Sequence, residues 1–290
     1  MTLEAASPDR RRHAWRDDLA AEALRGVVSA TRYTVGVRHQ VVAAIAPVRR
    51  APSGDTALDT EALRGEVVTV YDVADGWAWG QLERDRYVGY LQLAALDARI
   101  VPPTHKVSVP ATFVYPAADI KRPPLAMLPL GASVEVAAIE GRFAELRSGG
   151  FVYAPHLTPI GALVADCVAI AEQLIGTPYL WGGKSRVGID CSGLVQVSLQ
   201  TAGIDAPRDS DMQAAEVGEP LNVRADLQGL ARGDLVCWNG HIGIMADANL
   251  LLHANAYHMN VAREPLVQAV ARIAMDGSQP TGFRRPPATA

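Results

Sequence analysis

Three residues far apart in the chain are of the types that nucleophilic catalysis needs: one thiol, Cys191, and two imidazoles, His241 and His253. Cys191 lies in GTPYLWGGKSRVGIDCSG, where a glycine-rich stretch gives way to an apolar, periodic run. The sulfur is therefore expected in the first turn of a helix capped by Asp190. Unpaired N–H groups and the positive end of the helix dipole favour a thiolate there, lowering a cysteine from about 8.5 to somewhere between roughly 3.5 and 7.5. The same N–H groups could hold an oxyanion. His241 (NGHIGIM) and His253 (LLHANA) each sit in a strand-like run. A hairpin centred near Asp247 would place them opposite one another on one face, about 5 Å apart at Cβ. His241 would then be the base, and His253 would hold its tautomer. A zinc site built from Cys191, Cys237, His241 and His253 competes for the same residues. No C-x-x-C pair is present, and a turn separates Cys237 from His241, so no metal is expected.

The elements that must position these groups read as α+β. Leu163, Cys167, Ile170 and Leu174 recur at helical spacing and stop at Gly176; a second helix is predicted over Asp190–Ala202, with Gly203 just beyond. From Asp234 the pattern turns to strands, with Asn239-Gly240 as a hairpin turn and a second turn at Asp247–Asn249. The proline-rich end, Gln279–Ala290, is expected to be irregular.

Upstream, Val41–Leu96 and the stretch beginning at Val107 share an order of features: β-like opening, Pro/Ala loop, Leu-x-x-Leu approach to Gly, alternating strand, aromatic strand (Tyr87–Leu91 and Phe151–Ala154). Short alternating strands broken by Gly, Pro and Asp indicate small β-barrels, and two copies indicate tandem modules. They resemble bacterial SH3-like domains. The expected organisation is an N-terminal segment (1–35), two barrels (36–100 and 101–159) and a third domain (160–290). With 290 residues, 49% apolar and 20% charged, the composition is that of a globular protein. A net charge of −4 gives no field for nucleic acid or an anionic membrane. Arg10–Arg12 precede no apolar run, so a cytoplasmic location is expected. Three cysteines argue against a disulfide framework; Cys167 and Cys237 have apolar neighbours and are expected to be buried.

Four motifs occur in order: Tyr179-Leu180-Trp181-Gly182-Gly183, Asp190-Cys191-Ser192-Gly193-Leu194, Gly240-His241-Ile242-Gly243-Ile244 and Leu252-His253-Ala254. Over roughly residues 160–275 the chain resembles NlpC-type, papain-like cysteine peptidases of bacterial cell-wall peptides. That resemblance implies Cys191 as nucleophile, His241 as base and His253 as third polar residue, with no cofactor. Two SH3-like modules ahead of such a domain are similar to γ-D-glutamyl-L-diamino acid endopeptidases, which cut murein stem peptides after L-Ala-γ-D-Glu. The pocket motif matches at Tyr179, Trp181, Asp190, Ser192, Asp209 and Ser210, with Tyr87 (or Tyr90 nearby) from the first barrel closing it. Asp190 is expected to pair with the free ammonium of L-Ala. The insertion Ala51–Glu66 departs from that family pattern, so no acidic residue is carried over from it. An amidase or transferase on the same scaffold, or a non-catalytic peptide-binding module, are the competing readings. With no export signal read at Arg10–Arg12, the expected role is recycling of imported wall fragments, not remodelling of the intact wall.

Overall fold

A computed structural model of the chain describes residues 7–224 and 226–288. It divides into two compact units: one comprises residues up to His105, Phe113–Leu128 and Ala132–Val152, the other Lys106–Thr112, Pro129–Gly131 and everything from Tyr153.

In the first unit, alternation of apolar and polar residues builds a seven-stranded antiparallel sheet over Val37–Asp97. Its inward residues, among them Val41, Val48, Val68, Leu82 and Leu91, form one apolar cluster. The segment before it is fastened to this sheet. Ala14, Leu19 and Ala21 bury against Trp79, and the Arg16 guanidinium lies 4.4 Å over the Trp79 ring while bonding Asp72 at 2.6 Å. A five-stranded sheet follows, in which Val114 pairs with Val152 and Val136–Glu140 pairs with Phe143–Leu146.

In the second unit, helix α1 is Cys167–Gln173, α2 Cys191–Thr201, α3 Ser210–Glu216 and α4 Leu266–Met275. Helix α1 is shorter than its periodicity predicts. Asp166 caps it by accepting from Val168 and Ala169 N–H groups, which leaves Leu163 outside, 58% exposed. Six strands form one sheet: β1 (Glu219–Pro220), β2 (Leu235–Trp238), β3 (His241–Met245), β4 (Leu250–Asn255), β5 (Asn260–Pro265) and β6 (Gly282–Arg285), in the order β1-β6-β2-β3-β4-β5. Strand β6 corrects the expectation of an irregular C-terminal stretch. Phe283 pairs with Val236 and Arg284 with Leu235, and Arg285 bonds Asp234 at 2.6 Å, so backbone pairing and an ion pair outweigh the nearby prolines. The Asn239-Gly240 hairpin forms as read, with Trp238 opposite His241 and Gly240 at φ +74. Helix α2, buried from Cys191 to Leu199, packs its leucines and valines on Ile242, Ile244 and Leu252 of the sheet. Among the described residues no helix is long and apolar enough to cross a membrane.

Candidate active site

Cys191 is the first residue of α2 and is 7% exposed. Its position is set by Asp190, whose side chain accepts from the Gly193 N–H at 2.7 Å through one carboxylate oxygen and from the Gly182 N–H at 2.8 Å through the other. The chain passes close to itself here: a Cβ on Gly193 would stand 2.4 Å from the Gly183 carbonyl oxygen. Only glycine permits that approach. The sulfur receives the Ile242 N–H, one residue past His241, together with the Ser192 N–H. That hydrogen bond ties the start of α2 to the start of β3.

The two histidines meet, but not as directly opposed residues. Ile244 pairs with Leu252 and Met245 with Leu251, a register that brings Gly243 opposite His253 and leaves His241 on the diagonal. The hairpin is thus centred one position later than expected. A shift of this kind moves the partner by two residues and keeps both rings on one face. Gly243 makes the diagonal contact possible, since a Cβ there would lie 3.1 Å from the His253 Cβ and 2.7 Å from Leu251. His241 Nε2 and His253 Nδ1 are 2.9 Å apart. Behind them, His253 Nε2 is 2.8 Å from Glu264 Oε1, and the same oxygen accepts from Arg272 Nη2. The sequence reading missed Glu264 and Arg272. The usable signal was strand alternation: His253 pairs with Ala262, so Glu264 shares its face.

Arg208 was also missed, and it changes the part assigned to Asp190. This guanidinium is 1% exposed. Its two terminal nitrogens bond the two Asp190 oxygens at 3.0 and 2.7 Å, and it also donates to Ser192 Oγ at 2.8 Å. With two backbone N–H groups already in place, the carboxylate is committed to its neighbours and has no free lone pairs for a substrate ammonium. Asp190 is a scaffold for the nucleophile, and Ser192 is buried beside it. Tyr179 is half-buried; burial, with Cys191 and Asp190 next to it, pushes its phenol above the ordinary value and keeps it a donor. Trp181 is 62% exposed. Asp209 and Ser210 open α3, which Gln213 holds by donating to the Ser192 carbonyl at 2.9 Å; Asp209 makes no side-chain cap. Tyr87 lies in the other unit, 5% exposed and part of the apolar cluster of the seven-stranded sheet. Tyr90 is held there too, its hydroxyl accepting from Arg16 at 2.9 Å.

Electrostatics correct a second expectation. Burial, reinforced by Asp190, pushes the Cys191 thiol up to about 12. The helix start and the two N–H groups work the other way and lose, because a dipole contributes at most ~2 kcal/mol while full burial moves a group by roughly 3–5 units. Burial, with His253 adding to it, takes His241 down to about 3. The resting thiol and imidazole are therefore both neutral, so a proton transfer between them would have to accompany attack by the sulfur. Cys167 and Cys237 are buried, as read. Among the described residues, His253, His258 and Glu264 have ligand atoms within 4.8 Å of one another, but Arg272 already supplies the cation on that carboxylate.

A pH dependence follows from His241. The unfolded chain binds this proton near 6.5 and the folded chain only near 3. Stability from the neutral ring is complete above 6.5 and is lost as pH falls toward 3. Tm should drop on going from pH 7 to pH 4, and His241→Gln should flatten that slope. Equal slopes for the two proteins would show that the half-buried imidazole is not neutral.

The comparisons with known proteins fall on these residues. Residues 176–274 match the family model described as "NlpC/P60 family", and residues 48–96 match "Bacterial dipeptidyl-peptidase Sh3 domain". The "Gamma-D-glutamyl-L-lysine dipeptidyl-peptidase" of Bacillus subtilis (strain 168) is 27% identical over 229 residues, covering 69% of this chain and 73% of that protein. "Probable endopeptidase NlpC" of Escherichia coli (strain K12) is 36% identical over 112 residues, covering 33% of this chain and 70% of that one. The chain spans about a third (31%) of the length of the first curated relatives it matches, which are mycobacterial. The crystal structure of an NlpC/P60 family protein from Bacillus cereus ATCC 10987 superposes with a TM-score of 0.71 at 19% identity, covering 87% of this chain and all (100%) of that one, which establishes a shared fold. Thiol, both histidines and Glu264 lie inside the matched stretch, and with an Escherichia coli relative covered over 70% of its length, the chain belongs to the NlpC/P60 family.

Proposed function

We propose that this chain is a cysteine peptidase hydrolysing the γ-D-glutamyl–diamino acid bond of murein stem peptides that carry a free N-terminal L-Ala. The observation that carries the reading is the run Cys191, His241, His253, Glu264, a nucleophile with a base and the base's support in one unit. The Cys191 sulfur attacks the γ-carbonyl as its proton passes to His241. His241 then gives that proton to the leaving amine, water cleaves the thioester, and L-Ala-D-Glu departs. We assign the oxyanion to the Cys191 N–H and the protonated Tyr179. We set the peptide along Tyr179, Trp181, Asp209 and Ser210.

Two relatives bear the name gamma-D-glutamyl-L-lysine dipeptidyl-peptidase, which supports this bond and a dipeptide product. An enzyme that releases dipeptides measures from a free amine, which suits released fragments. A role in cytoplasmic peptide recycling, and a reading of the five-stranded sheet as a second SH3-like module, complete the proposal.

The test is mass-spectrometric analysis of products from L-Ala-γ-D-Glu-diaminopimelate, from its lysine counterpart, and from both with acetylated L-Ala. Release of L-Ala-D-Glu from the free peptides and refusal of the acetylated ones are expected. Equal turnover of the acetylated peptides would remove the free-amine requirement, and absence of the dipeptide from all four would remove the function.

A further inference from the structure

We propose that Glu264 is a positioning residue that fixes which nitrogen of each histidine carries the proton, with Arg272 as its charge partner. An ionised carboxylate only accepts hydrogen bonds, so His253 Nε2, 2.8 Å away, must be the donor. A neutral imidazole has one N–H, which leaves Nδ1 of His253 with a lone pair. That lone pair faces His241 Nε2 at 2.9 Å, so His241 Nε2 must donate in turn. The nitrogen left with a lone pair on His241 is then Nδ1, the atom that takes the thiol proton. One acceptor at the end of the row thus selects the basic atom two rings away. In the opposite pattern His253 would donate to His241 Nε2, the His241 proton would sit on Nδ1, and no base would remain.

The surroundings support this ordering. The His253 side chain is 0% exposed, and its Nε2 has Glu264 as its partner at hydrogen-bond distance. Glu264 reaches it along a diagonal of β5, because Glu264 pairs with Leu251 and His253 pairs with Ala262. His241, His253 and Glu264 therefore form one oblique row across three adjacent strands. Arg272, from α4, donates to the same Glu264 oxygen and stacks 4.3 Å from the Tyr257 ring centroid. Burial opposes ionisation of Glu264, but hydrogen bonds from His253 and Arg272 outweigh it and hold the carboxyl below its usual value. The charged and titratable groups acting on His253 are Glu264 from β5, Arg272 from α4 and His258 from the β4–β5 turn, with His241 bonded to it from β3.

The inference draws on the peptidase reading only for the importance of the base, and its test needs no peptide substrate. Nitrogen-15 spectra of the histidine-labelled full chain at pH 7 are expected to show the proton on Nε2 in both His241 and His253. A proton on Nδ1 of His241 would overturn the proposal without any variant being made. Glu264→Gln keeps an acceptor oxygen and should keep that pattern; Glu264→Leu removes it and should give mixed tautomers at His253. Alkylation of Cys191 by iodoacetamide should slow by on the order of 10- to 100-fold in Glu264→Leu and by no more than about threefold in Glu264→Gln, since a wrong tautomer removes the base. Unchanged spectra and alkylation in a folded Glu264→Leu protein, or equal damage in the two variants, would reduce Glu264 to a structural ion-pair partner. Should the peptide assay fail while the spectra hold, the function is wrong and this assignment stands.

Discussion

Replacing Cys191 by alanine is expected to lower hydrolysis of L-Ala-γ-D-Glu-diaminopimelate by at least about 10⁴-fold, with the fold retained. No other thiol can stand in: Cys167 opens α1 and Cys237 lies in β2, so neither sits at the start of α2 where Cys191 does. A nucleophile that works as a unit with its base takes most of the acceleration with it when removed. The structural change is small by comparison. Sulfur leaves a site at the helix start, the Asp190 cap and its bonds to Gly182, Gly193 and Arg208 remain, and the loss of stability should be about 1 kcal/mol. Product counting at high enzyme concentration, beside a thermal melt, makes the measurement. Wild-type turnover by the alanine protein would move the chemistry to another residue.

Arg208→Met should give the largest stability effect. Arg208 and Asp190 are both buried and joined at two points, and Ser192 Oγ accepts from the same guanidinium. Taking away one partner strands a carboxylate in the interior beside the nucleophile. Breaking such a pair costs about 3–5 kcal/mol. In a chain of this size that is a fall in Tm of roughly 10 °C. Arg208→Lys should fall between the two, because an ammonium cannot satisfy both oxygens at once. Activity should fall with stability in both variants, since the carboxylate that Arg208 neutralises also caps the helix carrying Cys191. A Tm within about 2 °C of wild type for Arg208→Met would mean the pair contributes nothing.

The place of Cys191 at a capped helix start, the Asn239-Gly240 hairpin and the extent of α2 were legible in the sequence because each is a local matter: a cap, a turn dipeptide, a periodicity. The order of four motifs carried the family. What escaped was long-range. Arg208 meets Asp190 across 18 positions through a buried ion pair, and no periodicity announces it. Glu264 needed the β4–β5 register, which a spacing alone leaves open by one or two residues. The lowered thiol value failed for a related reason. Helix position is local, but burial of Cys191 depends on how Ile242 and the rest of the apolar cluster close over it. Strand β6 hid behind prolines that lie just outside it.

The Asp190 carboxylate binds together a helix, a loop and a guanidinium, and this limits how selectivity can drift in descendants of this sequence. The floor beneath the thiol is frozen, because altering any one partner unsettles the nucleophile itself. Trp181, solvent-facing and adjacent to the Gly182 amide that bonds the carboxylate, is under no such restriction. Changes in substrate range should therefore accumulate at the rim, leaving the basement untouched.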